Sequence, residues 1–189
     1  MEEETKKPFY RKIPGFRSGE GWKMGVAIFF YGLFLMVPII VVINPWKVDT
    51  TNLPIKEQIK IFINNAIGEK TNHKEENLKS RVMGVVFQDN LLQVYLIATD
   101  NFSSNWIRIG ILNDSKEIFS QIFDEFPKKV GKVSLAWYFP MIDARGNSKL
   151  EMVLSITFYR ANATTINWDN FITDNFPKVA SHYWQHPSF

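Results

Sequence analysis

The chain has 189 residues, with 22 basic and 19 acidic side chains and no cysteine. The missing cysteine excludes disulfide stapling, thiol catalysis and lipidation at a cysteine. Six basic and four acidic groups lie in residues 1–24, which leaves 16 and 15 for the rest. That remainder is nearly neutral and has no basic cluster larger than Lys128–Lys129, so a nucleic-acid face is excluded as well.

The first predicted element is the uncharged stretch GVAIFFYGLFLMVPIIVVI, residues 25–43. As a helix it extends roughly 28 Å, close to a hydrocarbon core of about 30 Å. Ile28, Phe29, Phe30, Leu33, Phe34, Leu35 and Met36 leave no polar stripe, and Trp22–Lys23 and Trp46–Lys47 mark its borders. Pro38 is tolerated in a span. A cleaved signal needs a shorter apolar run and small residues at its exit, whereas the exit here reads VVINPWKVD. The expectation is an uncleaved signal anchor, a single transmembrane helix contacting the lipid bilayer. Lys6, Lys7, Arg11, Lys12, Arg17 and Lys23 would hold residues 1–24 in the cytoplasm. Residues 44–53 then form a juxtamembrane linker, and residues 54–189 one extracytoplasmic domain at a cell membrane.

Within that domain, Ile55, Ile59, Phe62, Ile63, Ala66 and Ile67 form a helical stripe between Pro54 and Gly68. The polar TNHKEENLK follows as a loop, in which His73 has no assigned role. From Arg81 the period becomes two. RVMGVVFQ, the turn pair Asp89–Asn90 and LLQVYLIATD predict a β-hairpin. Ile118, Phe119, Ile122, Phe123 and Phe126 predict a central helix with two candidate starts, a capping box at Asp114–Glu117 or an earlier one at Ser104. A second hairpin alternates Val133, Leu135, Trp137 and Phe139 with Ser134, Ala136 and Tyr138. After the turn DARGN it alternates Met152, Leu154, Ile156 and Phe158 with Ser155, Thr157 and Tyr159. Pro177 and Pro187 bracket a short terminal helix, Pro177–Gln185. Two antiparallel hairpins and about three helices predict an α+β domain with a mostly antiparallel sheet covered on one face.

His182 and His186 are four residues apart, the helical spacing for sharing a metal ion, but a third ligand and an intervening glutamate are missing. Packing accounts for them, so no metal and no cofactor is expected. Trp106, Trp137, Trp168 and Trp184 invite a sugar-platform reading; alternation buries Trp137, and Trp168 in INWDNF stays open to it. Asp143, Asp169 and Asp174 suit turns and caps better than a catalytic pair. The chain shows no nucleophile elbow, phosphate loop or HExxH, so no catalytic residues are assigned and the domain is expected not to be an enzyme. Three Asn-x-Ser/Thr triplets, at Asn101, Asn113 and Asn162, are close to the chance number for this composition. Tyr138, Tyr159 and Trp168, expected off the core face, are the interface candidates for other envelope proteins.

The stretches AWYFPMIDARGNSK, ITFYRANATTINWDNF and NFPKVASHYWQHPSF resemble small membrane- or lipid-anchored surface proteins of Gram-positive bacteria. The resemblance covers roughly the last hundred residues. It implies a cell-surface location and an association with low-GC bacteria or their mobile elements, and it carries over no catalytic residue. The anchor departs from it, since a span stands where a lipidated cysteine is usual. The layout of tail, span and small exterior domain also resembles the VirB8-like assembly factors of conjugation machinery, although their helices precede a continuous run of strands. Together these imply a bitopic protein-interaction module, an accessory or scaffold of an envelope or conjugation apparatus. The alternatives are a surface glycan or ligand receptor and, third, a hydrolase.

Overall fold

A computed structural model of the chain describes residues 13–14, 20–31, 50 and 52–189. The chain divides into two units, Met1–Asp49 and Thr50–Phe189. In the first, residues 21–31 are helical (α1). Glu20 suits the positive end of that helix: its carboxylate lies 2.9 Å from Lys23 Nζ and accepts from Trp22 Nε1 at 3.1 Å. The transmembrane helix expected over residues 25–43 is corrected here. Among the described residues no helix is long and apolar enough to cross a membrane. From residue 21 to 31 a helix reaches about 16 Å, roughly half of a hydrocarbon core. Residues 32–49 lie outside the described residues, Pro38, Trp46 and most of the expected linker among them. So do Lys6, Lys7, Arg11, Lys12 and Arg17 of the expected cytoplasmic tail.

The second unit is α+β. Helix α2 (Ile55–Ile67) precedes a hairpin of β1 (Val82–Gln88) and β2 (Leu91–Ile97). Asp89 and Asn90 have φ of 50° and 63°, the pair of positive values that a two-residue type I′ turn requires. Helix α3 (Ser104–Glu125) then crosses to the second hairpin, β3 (Lys132–Ile142) and β4 (Ser148–Tyr159). The sheet order is β1-β2-β3-β4-β5, and β2 and β3 run parallel. Parallel neighbours need a long connection, which α3 supplies. The sheet is therefore mixed, two hairpins joined side by side in parallel.

The C-terminus departs from the predicted helix Pro177–Gln185. Pro177 does sit in a first helical turn, but α5 (Phe176–Val179) is short, and His182–Gln185 form β5, antiparallel to β4. Ala180 is already extended, and Ser181 N–H donates to Thr157 O at 2.9 Å. The free edge of β4 offers these residues a ladder, and that pairing overrides the local helix signal. The fourth helix, α4 (Arg160–Ala163), links β4 to the loop that carries Trp168.

The core lies between the sheet and the pair α2 and α3. Ile59 and Ile63 of α2 and Ile111, Leu112, Ile118, Phe119 and Ile122 of α3 meet Leu92, Val94, Leu96, Val133, Leu135, Trp137, Leu154, Ile156 and Phe158. Each such aliphatic side chain, fully buried, stabilises by about 1.5–3 kcal/mol. Helix α3 takes the earlier of its two starts: Ser103 is the N-cap and its hydroxyl accepts from Trp106 N–H. Asp114, the competing cap, lies inside the helix and pairs with Arg81.

The β3–β4 turn is held by Asp143. Its Oδ1 accepts from Arg145 N–H at 2.8 Å and Asn147 N–H at 2.9 Å, while Gly146 takes φ of 83°. Hydrogen bonds from Asn147, then from Arg145, hold this exposed carboxyl below its ordinary value. A lowered acid pKa stabilises above the unfolded value, and the benefit is lost as pH falls through the folded one. The protection of the Arg145 and Asn147 amides against exchange, measured relative to free amides at the same pH, is expected to be lost in that acid window in the native chain and to be absent at every pH in Asp143→Ala.

Candidate interaction surface

Because side chains alternate across a sheet, the residues out of phase with the core form a second face. The registers align them in rows. One row runs Gly84, Tyr95, Ala136, Ser155, Trp184; the next runs Val86, Gln93, Ser134, Thr157, His182; a third ends at Lys132 and Tyr159. The middle of this face is small and polar, with Thr157 Oγ1 donating to Ser134 Oγ at 2.9 Å. Its rims are aromatic: Tyr95 and Tyr138 on one side, Trp184 and Tyr159 on the other. The Lys132 ammonium lies 4.9 Å from the Tyr159 ring centroid. Tyr159 is 52% and Trp184 37% exposed, whereas Trp137, one residue away from Tyr138 but in core phase, is fully buried. Aromatic rings beside small hydrogen-bonding residues are also the mixture found in antibody combining sites.

Of the three interface candidates, Tyr138 and Tyr159 share this face and Trp168 does not. Trp168 stacks on Phe119 at 6.1 Å and 18° and meets Phe158 and Phe171 edge-on. It therefore closes the core beyond α4. Its outer side lines an open depression of about 370 Å³ with Phe123, Asp124, Asn167 and Asp169. Trp184 and Tyr95 join this face although neither is among the three interface candidates. The alternation of LLQVYLI already puts Tyr95 out of core phase, but Trp184 is legible only once β5 is known to be a strand.

The histidine pair does not converge. On a strand, positions four apart lie about 13 Å from each other, so His182 and His186 cannot share one ion. His182 faces the open side of β5; His186 follows the strand, and its Nδ1 accepts from Ser188 N–H at 3.2 Å. Among the described residues no group of three or more His, Asp or Glu is placed to hold a metal. His73 packs against Phe139, with Nε2 2.8 Å from Ala98 O.

The three aspartates are engaged separately. Asp143 holds its turn, Asp174 pairs with Arg108 at 3.2 Å, and Asp169 offers its main-chain oxygen to Lys116 at 3.3 Å. Two arginines serve the scaffold beneath the face. Arg81 donates to Ile67 O at the end of α2 and to Asp114 on α3, and its guanidinium lies 5.8 Å from the Trp137 ring. Trp137 Nε1 donates to Ser115 Oγ, which donates to Ile111 O. Arg160 donates to Val130, Phe123 and Phe126 carbonyls at 2.7, 2.8 and 2.9 Å, closing the C-terminal end of α3. Comparison of the chain with family models, with curated proteins and with solved structures returned no match.

Proposed function

We propose that Thr50–Phe189 is a protein-interaction module that binds other envelope proteins through the sheet face turned away from α2 and α3 and has no chemistry of its own. The observation that supports this reading is the row Tyr95, Ala136, Ser155, Trp184, which crosses four strands and carries an aromatic ring at each end. An aromatic side chain has only two torsions, so little side-chain freedom is lost on binding. The proposed setting is a cell envelope or conjugation apparatus of a Gram-positive bacterium, where the module acts as an accessory or scaffold. That setting rests on the resemblance of the last hundred residues. Confinement near one surface raises the effective concentration of neighbours, so modest contacts suffice.

A photo-crosslinking residue placed at Ala136 in the full chain in cells is expected to give discrete adducts. These should disappear in Tyr138→Ala and Trp184→Ala backgrounds. The same probe at Asn113, exposed on α3, should give none. Equal adducts from both positions would sink the assignment. The depression at Trp168 favours a second reading, a glycan receptor, because a ring beside Asp124, Asn167 and Asp169 is a sugar-binding combination. Retention by a glycan array that is lost in Trp168→Ala would move the function there. The sheet face leads because Trp168 already spends its ring on Phe119, Phe158 and Phe171.

A further inference from the structure

Strand β1 is the first strand in the sheet order and pairs on one side only, with β2. Folded proteins guard such edges with charge, proline, shortness or a bulge. The sequence VMGVVFQ has no charge and no proline. Its irregularity falls between Val82 and Gly84, at its start, which leaves Gly84–Gln88 in regular register. The opposite edge, β5, is only four residues long and carries His182.

The hairpin fixes which groups point outward. A two-residue turn makes Gln88 and Leu91 a bonded pair, so Val86 and Gly84 also bond inward, and the amides and carbonyls of Val85 and Phe87 point away from β2. Among the described residues nothing bonds those outward groups. The segment beside the start of β1 stops short of them: Arg81 N–H donates to Glu69 O and Lys70 bridges Ser80. Val86 is 40% exposed.

We infer that this edge pairs with the same edge of a second copy of the chain, antiparallel, with Val86 on the two-fold axis. Val85 then faces Phe87 of the other copy in both directions, and about four main-chain hydrogen bonds form from groups otherwise left to water. Val86 meets Val86 across the axis as a close, non-bonded cross-strand pair, and Gly84 gives room to Gln88 of the other copy. An uncharged strand suits its own copy, since any charge near the axis would face its like. The two five-stranded sheets join into one continuous sheet whose aromatic faces lie on the same side. The β1 edge and the aromatic sheet face are separate surfaces, so loss of the dimer would leave binding at the sheet face untouched.

The native chain has no cysteine, which makes single-cysteine variants clean reporters. Across a close antiparallel pair the Cβ atoms lie about 4.5–5.5 Å apart, near disulfide reach, whereas residue 88 lies about 13 Å from its own copy in this register. The full chain, kept in mild detergent and treated with a mild oxidant, is expected to give a covalent dimer as Val86→Cys and to remain largely monomeric as Gln88→Cys. Val86→Lys should shift the chain from dimer to monomer in sedimentation, with its far-ultraviolet dichroism unchanged. Equal crosslinking of the two cysteine variants would overturn the register. A native chain that sediments as a monomer, with neither variant crosslinking, would overturn the dimer. Should Val86→Lys fail to fold, the cysteine comparison decides alone.

Discussion

Asp114→Ala is expected to cost about 3 kcal/mol of folding stability, while the paired replacement Arg81→Met, Asp114→Leu recovers most of it. The asymmetry follows from where the two charges lie. The Arg81 side chain is 7% and that of Asp114 26% exposed, so the pair has left most of its water behind. Removing the carboxylate strands a guanidinium whose Nε already has no partner among the described residues. It also loosens a cation that ties α2, α3 and the Trp137 ring together. Replacing both partners with apolar groups removes the desolvation cost along with the attraction, which is why the double variant is the milder. Burial holds the Asp114 carboxyl above its ordinary value, and the Arg81 cation opposes this only in part. A raised acid pKa stabilises below the unfolded value, and that contribution is lost as pH rises through the folded one. Native stability should therefore fall relative to Asp114→Asn across that acid-side window. Urea melts of the four proteins at two pH values measure both effects; a double variant as unstable as Asp114→Ala would refute the account.

The sequence made the local elements legible and hid what depends on distant partners. Period two and a polar pair announce the β1–β2 hairpin, and a 3.6 period announces α2, because those signals lie within a few residues of one another. The start of α3 was ambiguous for the opposite reason. Asp114 looks like a cap until Arg81, 33 residues earlier, is seen to claim it. The parallel joining of β2 and β3 leaves no mark on either strand. In SHYWQ the prolines suggested helix, and the ladder on β4 made strand; Trp184 thereby moved onto the aromatic face and His182 away from His186. Trp168 sits between polar residues in sequence and among phenylalanines in space. Tyr138 and Tyr159 lie off the core face because strand phase alone determines their side. The expectation of a span over residues 25–43 rests on composition alone, and helix is described only over residues 21–31.

Arg160→Ala is expected to lower stability by about 2–4 kcal/mol, on the basis that hydrogen bonds to charged groups contribute about 1.5–3 kcal/mol each and that part of the loss is recovered by water. A helix ends with carbonyls that have no partner within it, and α3 has no basic residue in its last turn. Arg160 supplies the missing charge from the far side of the chain, bonding Phe123 O, Phe126 O and Val130 O with three different nitrogens and lying 5.1 Å from the Phe123 ring. The arrangement uses the planar fork of a guanidinium. Lysine brings the same charge on a single nitrogen, which cannot reach all three carbonyls at once. Arg160→Lys should therefore recover a minor part of the loss, by its favourable placement at the negative end of the helix. Thermal melts of the two variants distinguish this from a simple charge effect: equal stability of Arg160→Lys and the native chain would mean that the cation alone matters. The consequence reaches the sheet, because Arg160 N–H also donates to Gly131 O at the start of β3. Loss of the side chain should speed amide exchange at the end of α3 first and leave the Tyr95–Trp184 row slow, since that row is held by strand pairing alone.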